Sequence, residues 1–157
     1  MYLSDSHPKV QTVWRYHYDR DSGTPHSPEL FIDFKALNGR PDGAAIDSDD
    51  CYWICANDGS AVMRFTPEGK LDRSIDLPVK KPAMCAFGGA GLDTLFITSI
   101  RPGGVDLSDQ PLAGCAQQLV DHIYSCAACC RFFTCEKNGS HSRDGESTGK
   151  PRLCVGG

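Results

Sequence analysis

Short β-like runs, separated by turn residues, recur along the first 114 positions in groups of four. Val13-Trp14-Arg15-Tyr16-His17-Tyr18 alternates large apolar or aromatic side chains with polar ones, the pattern of a half-buried strand. Asp19-Arg20-Asp21-Ser22-Gly23 follows as a turn. It resembles a calcium loop but lacks the ~12-residue EF-hand pattern with its closing Glu, so a solvated turn is the better reading. Leu30 to Phe34, Ala44 to Asp47, Cys51 to Cys55, Ala61 to Phe65, Leu71 to Leu77, Ala83 to Phe87 and Thr94 to Ile100 complete the set. Apolar residues nowhere recur at helical spacing over three turns, so residues 1–114 are predicted to be all-β.

The strands repeat as a group. The block Cys51 to Gly89 runs strand, Asn57-Asp58-Gly59 turn, strand, Pro-Glu-Gly turn, strand, Pro-rich link, strand. Met1 to Asp47 runs in the same order. Tyr2, Trp53 and Phe96 mark equivalent strands, 51 and 43 residues apart. Four short strands per ~40–50 residues is the signature of a β-propeller blade. A meandering sandwich fits the turn spacing as well. Two units and the start of a third are present, about two and a half blades, whereas propellers close with ~4–8. Met1 reads as an internal methionine of a longer parent.

Composition narrows the function classes. Sixteen basic against 20 acidic residues give a net charge of -4, which argues against a non-specific nucleic-acid binder. No run approaches the ~18 apolar residues that span a bilayer. Met1 to Lys9 lacks the order of a secretion signal. A cytoplasmic protein with free thiols, no membrane partner and no nucleic-acid partner is expected.

The nine cysteines divide unevenly. Three lie in the first 114 residues and six, Cys115, Cys126, Cys129, Cys130, Cys135 and Cys154, in the last 43. Residues 1–114 carry 11 basic and 16 acidic side chains, residues 115–157 five and four. The sequence therefore divides into 1–114, the β-rich part, and 115–157, an irregular Cys-rich tail. Within the tail, Gln117 to Tyr124 reads as one short helix and Lys137 to Lys150 as a disordered stretch. The cluster Cys126-x-x-Cys129-Cys130-x4-Cys135 is dense enough for zinc but lacks a second pair at the usual separation. Asn138-Gly139-Ser140 is a formal glycosylation triplet that means nothing without secretion.

Gly39-Arg40-Pro41-Asp42-Gly43-Ala44-Ala45-Ile46-Asp47 leads into Cys51-Tyr52-Trp53-Ile54. Next come Gly59-Ser60-Ala61-Val62-Met63-Arg64-Phe65-Thr66-Pro67-Glu68-Gly69, Leu77-Pro78-Val79, Cys85 to Gly89 and Leu95 to Ser99. With Tyr2-Leu3-Ser4-Asp5-Ser6, this resembles the C-terminal half of the gluconolactonase family that includes regucalcin-type proteins and bacterial sugar lactonases. The resemblance covers nearly all of residues 1–114. It implies part of a six-bladed propeller with one divalent cation, calcium or zinc, in the central channel, and a sugar lactone as substrate. It makes Asp42 of the Pro-Asp-Gly motif both a metal ligand and the general base. The family's other two ligands, a Glu and an Asn, and its substrate-contacting residues fall upstream of Tyr2. The resemblance stops at Gly114, where a changed reading frame would produce the tail that follows.

Asp42 suits that chemistry on its own terms. A hard cation prefers carboxylate oxygens, and a carboxylate beside it orients or deprotonates water. Pro41 fixes the backbone ahead of it, and Gly43 is expected to keep a side chain out of the channel. Taken without the resemblance, Pro-Asp-Gly is an ordinary turn. Asp5 and Ser6 are expected at a strand end in a capping or hydrogen-bonding role, and Trp14 and Trp53 in the core between blades. His7, His17 and His26 have no ligand spacing on one element, and Ser6 and Ser60 lie in no Gly-x-Ser-x-Gly elbow. The resulting expectation is a fragment of a metal-dependent sugar lactonase that neither binds its ion nor turns over by itself. Its open blade faces favour self-association. The alternatives are a calcium-binding regulatory propeller without catalysis, or a non-functional gene fragment.

Overall fold

The computed structural model describes residues 1–120 and 133–136. Among the described residues, eleven strands form three antiparallel sheets. The first contains β1 (Tyr2–Asp5), β2 (Thr12–Asp19) and β3 (Thr24–Asp33). The second contains β4 (Arg40–Ile46), β5 (Tyr52–Asn57), β6 (Ala61–Phe65) and β7 (Leu71–Asp76). The third contains β8 (Pro82–Gly88), β9 (Thr94–Ser99), β10 (Ala116–Val120) and β11 (Phe133–Glu136). Each sheet is a meander in chain order, and the sheets meet near their first strands, with β4 against β8 and β1 against β4. This is a partial β-propeller.

Tyr2, Trp53 and Phe96 do occupy equivalent strands, β1, β5 and β9. The sheets nevertheless divide one strand earlier than the repeat suggested. The strand at Ala44 pairs with Ile54 and opens the second sheet, and the strand at Ala83 to Phe87 opens the third. Turn chemistry decides this. Between β4 and β5, Asp47 Oδ1 accepts from the backbone N–H groups of Asp49 and Cys51, at 2.9 and 3.0 Å, and closes a tight turn. The β3–β4 link instead carries a 3-10 turn at Phe34–Ala36, and the β7–β8 link buries Leu77 and Val79, so both cross between sheets.

The second sheet is covered on both faces. Tyr52, Ile54 and Ala56 pack with Val13, Phe31 and Ile32 of the first sheet. Trp53 and Cys55, on the alternate face, pack with Cys85, Leu95, Ile97 and Leu119 of the third. All six residues of β5 are therefore buried, which is why its sequence is a continuous apolar run until Asn57. Trp53 meets the expectation of a core residue, whereas Trp14 is only half-buried.

The helix expected over Gln117 to Tyr124 is not formed at its start. Residues 116–120 are strand β10, in register with β9 from Ala116↔Thr98 to Val120↔Thr94. The free edge of β9 offers a full ladder of hydrogen bonds, which outweighs local helical preference. The third sheet thus continues across the change in composition at Gly114. Gln117 fits its position poorly: it is wholly buried and neither atom of its amide finds a partner among the described residues. The Cys126, Cys129 and Cys130 cluster, the Asn138 triplet and the stretch from Lys137 to Lys150 lie outside the described residues.

Candidate functional site

Asp42 lies on β4, the first strand of the second sheet, where that sheet approaches β8 and β1. The ladder between β4 and β5 is interrupted from Pro41 to Ala44, so Asp42 and Gly43 stand in a bulge. Bulges re-aim side chains beside functional sites. Gly43 has a different purpose from the one its motif suggested. A Cβ there would lie 2.6 Å from Ala83 O and 2.8 Å from Met84 Cα. The glycine is needed so that β8 can cross close to β4 at this point.

One residue that the motifs did not single out holds the Asp42 carboxylate. Asn57, 4% exposed, donates through Nδ2 to Asp42 Oδ2 at 3.0 Å and to Pro82 O at 3.1 Å. Its Oδ1 accepts from Arg40 Nη2 at 3.4 Å. Asn57 was read as part of a hairpin turn, and the turn is there: Gly59 N–H bonds Ala56 O at 2.9 Å, and Asp58 and Ser60 adopt positive φ. The one available signal was a polar residue ending an otherwise apolar strand.

Charge around the site is arranged in pairs. Asp58 accepts from Arg40 Nη2 at 2.7 Å and from Lys81 Nζ, tying the second sheet to the third. Lys81, then Arg40, hold the Asp58 carboxyl below its ordinary value despite partial burial. Asp42 behaves oppositely. Burial raises its carboxyl above the ordinary value, and the Asn57 amide, the Arg40 charge and the Gly43 N–H only partly offset it. A raised carboxyl is a better proton acceptor near neutral pH. Beneath it lie two buried free thiols, with Cys85 Sγ 3.8 Å from Gly43 O.

Other expected positions serve structure. Asp5 Oδ1 accepts from His7 N–H at 2.9 Å, a local capping bond. Asp19 Oδ1 closes its turn through the N–H groups of Asp21 and Ser22. Far from Asp42 along the sheet, buried Arg64 bonds Asp47 at 2.7 Å, Asp49 at 2.9 Å and Asp72 at 3.0 Å.

As a metal ligand, Asp42 offers one oxygen not taken by Asn57, and a carboxylate suits a hard divalent ion. By itself it is one ligand of a set. Among the described residues, no group of three or more His, Cys, Asp or Glu side chains is placed to hold a metal. The described residues therefore fit a share of a cation site and not a whole one.

Three antiparallel meanders arranged as part of a β-propeller define the class of fold. Residues 1–101 match the family described as SMP-30/Gluconolactonase/LRE-like region, and the chain belongs to that family. It is 42% identical over 129 residues to 6-deoxy-6-sulfogluconolactonase of Pseudomonas putida, a match covering 80% of this chain and 43% of the relative. To regucalcin of Gallus gallus it is 34% identical over 107 residues, covering 66% and 36%. The fold is similar to the crystal structure of the calcium-binding protein regucalcin of Agrobacterium tumefaciens. That likeness has a TM-score of 0.68 and 28% identity, over 74% of this chain and 40% of that one. The chain thus spans about two fifths of the length of these relatives. No helix among the described residues is long and apolar enough to cross a membrane.

Proposed function

We propose that this chain carries one share, centred on Asp42, of the active site of a divalent-metal-dependent sugar lactonase. The observation that supports it best is the Asp42 carboxylate itself: raised by burial, oriented by a buried amide, and placed on the first strand of a propeller sheet. When bound, a divalent cation supplies Lewis-acid polarisation of the lactone carbonyl. Asp42 contributes orientation of the attacking water and acceptance of its proton, with the ring C–O bond breaking to give the open hydroxy acid. Asn57 keeps the carboxylate in one rotamer, and Arg40 balances its charge.

The chain by itself is expected neither to hold the ion nor to turn over. Asp42 stands as a single carboxylate, because neighbouring Asp58 is committed to Arg40 and Lys81. The substrate class is a gluconolactone-like sugar lactone and the compartment the cytoplasm. Nucleic acid and membrane are not partners, and open sheet faces favour self-association. A second reading, a calcium-binding propeller without catalysis, draws on the likeness to regucalcin of Agrobacterium tumefaciens.

A chimera separates the two. Residues 1–101 would replace the matching stretch of the Pseudomonas putida lactonase, and hydrolysis of gluconolactone would be followed with calcium or zinc. Metal-dependent turnover that falls by ~10²–10⁴ in Asp42→Ala is expected. A folded chimera that binds the ion but does not hydrolyse favours the regulatory reading. Turnover indifferent to Asp42→Ala removes Asp42 from the chemistry. The 157-residue chain assayed alongside should show no Asp42-dependent hydrolysis.

A further inference from the structure

The geometry points to a second, unrelated site: His17 and His26 form a two-imidazole site for a transition-metal cation on the outer hairpin of the first sheet. Neither position lies on one element with a ligand spacing; strand pairing brings them together. Arg15 pairs with Glu29, and His17 pairs with His26. From one pair to the next, β2 advances two residues and β3 three, so β3 holds one extra residue. Ser27 has φ 51, and Pro28, which follows it, has no N–H to lose from the ladder. With a regular register, Ser27 would oppose His17. The bulge puts an imidazole there instead, on the same face of the hairpin.

The two rings stack with centroids 5.7 Å apart and planes 15° from parallel. Both side chains are exposed, so turning each ring until a nitrogen from each meets one ion disturbs no packing. His26 Nδ1 faces Ser27 Oγ at 3.1 Å, which leaves its Nε2 for a metal. Imidazole nitrogen suits zinc, nickel or copper and not calcium, so calcium, which a carboxylate site accepts, does not compete for this one. Glu29, held by Arg15 at 2.8 Å, forms the neighbouring cross-strand pair and keeps the rim of the site polar. Two protein ligands leave the other coordination positions to water, which makes an exchangeable surface site.

The test uses Ni²⁺ with the full chain, followed by NMR of the imidazole C–H signals. His17 and His26 should broaden together at substoichiometric Ni²⁺, ahead of His7, and excess calcium should not reverse it. Each of His17→Ala and His26→Ala should weaken the site about tenfold or more, at least the loss seen when an outer partner of a metal ligand is removed. Asparagine at either position repeats the test if alanine loosens the hairpin, with circular dichroism as the check on fold. Unchanged broadening of His26 in His17→Ala would show two independent imidazoles and overturn the proposal. So would broadening of His7 at lower Ni²⁺ than His17 and His26.

Discussion

Replacing Asn57 with leucine tests the link between the fold and the candidate site most directly. Leucine keeps the branched outline of the buried side chain and is somewhat larger, so no cavity forms, but it removes both donors and the acceptor. Asp42 Oδ2 and Pro82 O each lose a donor, and Arg40 loses one acceptor while keeping Asp58. A hydrogen bond to a charged group contributes ~1.5–3 kcal/mol and one to a neutral carbonyl ~0.5–1.5. Asp42 is only partly buried, which places the first figure at its lower end. The expected loss is therefore ~2–3 kcal/mol, read from the urea midpoint at constant slope. A double-mutant cycle with Asp42→Ala should return a coupling of ~1.5 kcal/mol or more, because Asn57 keeps its bond to Pro82 when Asp42 is gone. The same substitution should move the Asp42 titration further up, followed by carbon NMR of the carboxyl, since the Asn57 bond is the main influence lowering it. A coupling near zero, or an Asp42 titration that stays in place, would refute the idea that Asn57 holds the carboxylate.

Asp42→Asn should stabilise the chain at pH 7, because burial disfavours the charged carboxylate while asparagine can still accept from Asn57. The folded-state value is raised, so the penalty is full above it and disappears below the unfolded value near ~3.9. The gain in chemical denaturation should accordingly shrink as pH falls through the Asp42 titration. Asp47 carries the opposite sign. Burial works to raise its carboxyl, but Arg64, Trp53 Nε1 and the N–H groups of Cys51 and Asp49 together hold it below the ordinary value. Its stabilisation is present above the unfolded carboxyl range and lost as pH falls through the folded value. Asp47→Asn should thus cost ~1.5–3 kcal/mol at pH 7, the worth of a hydrogen bond to a charged group, because Arg64 keeps Asp49 and Asp72, and should flatten the acid side of the stability profile. An unaltered acid side would contradict the assignment. Gln117→Leu should stabilise by ~1–3 kcal/mol, the cost of a buried polar group without partners, seen as a higher thermal midpoint.

What the sequence determined by itself is local. Alternation of apolar and polar residues marked β2, because strand side chains point to opposite faces in turn, and short apolar runs between turns marked β5 and β6. The Asp19 turn was legible because a carboxylate bonding the N–H groups just ahead needs no distant partner. The spacing of Tyr2, Trp53 and Phe96 marked equivalent strands because each unit repeats its own local pattern. Which strand opens a sheet was not legible, since a repeat reads alike in any phase; the tight turn at Asp47 and the crossing links decide it. Residues 116–120 have helical preference alone and become a strand only beside the free edge of β9. Asn57 and Asp42 are 15 residues apart, and Arg64 reaches carboxylates 8 to 17 residues away. His17 and His26 face one another only because a single extra residue in β3 shifts the register. Each of these contacts depends on how strands pair and sheets pack. That outcome is a sum over many distant contacts, and no window of the sequence contains it.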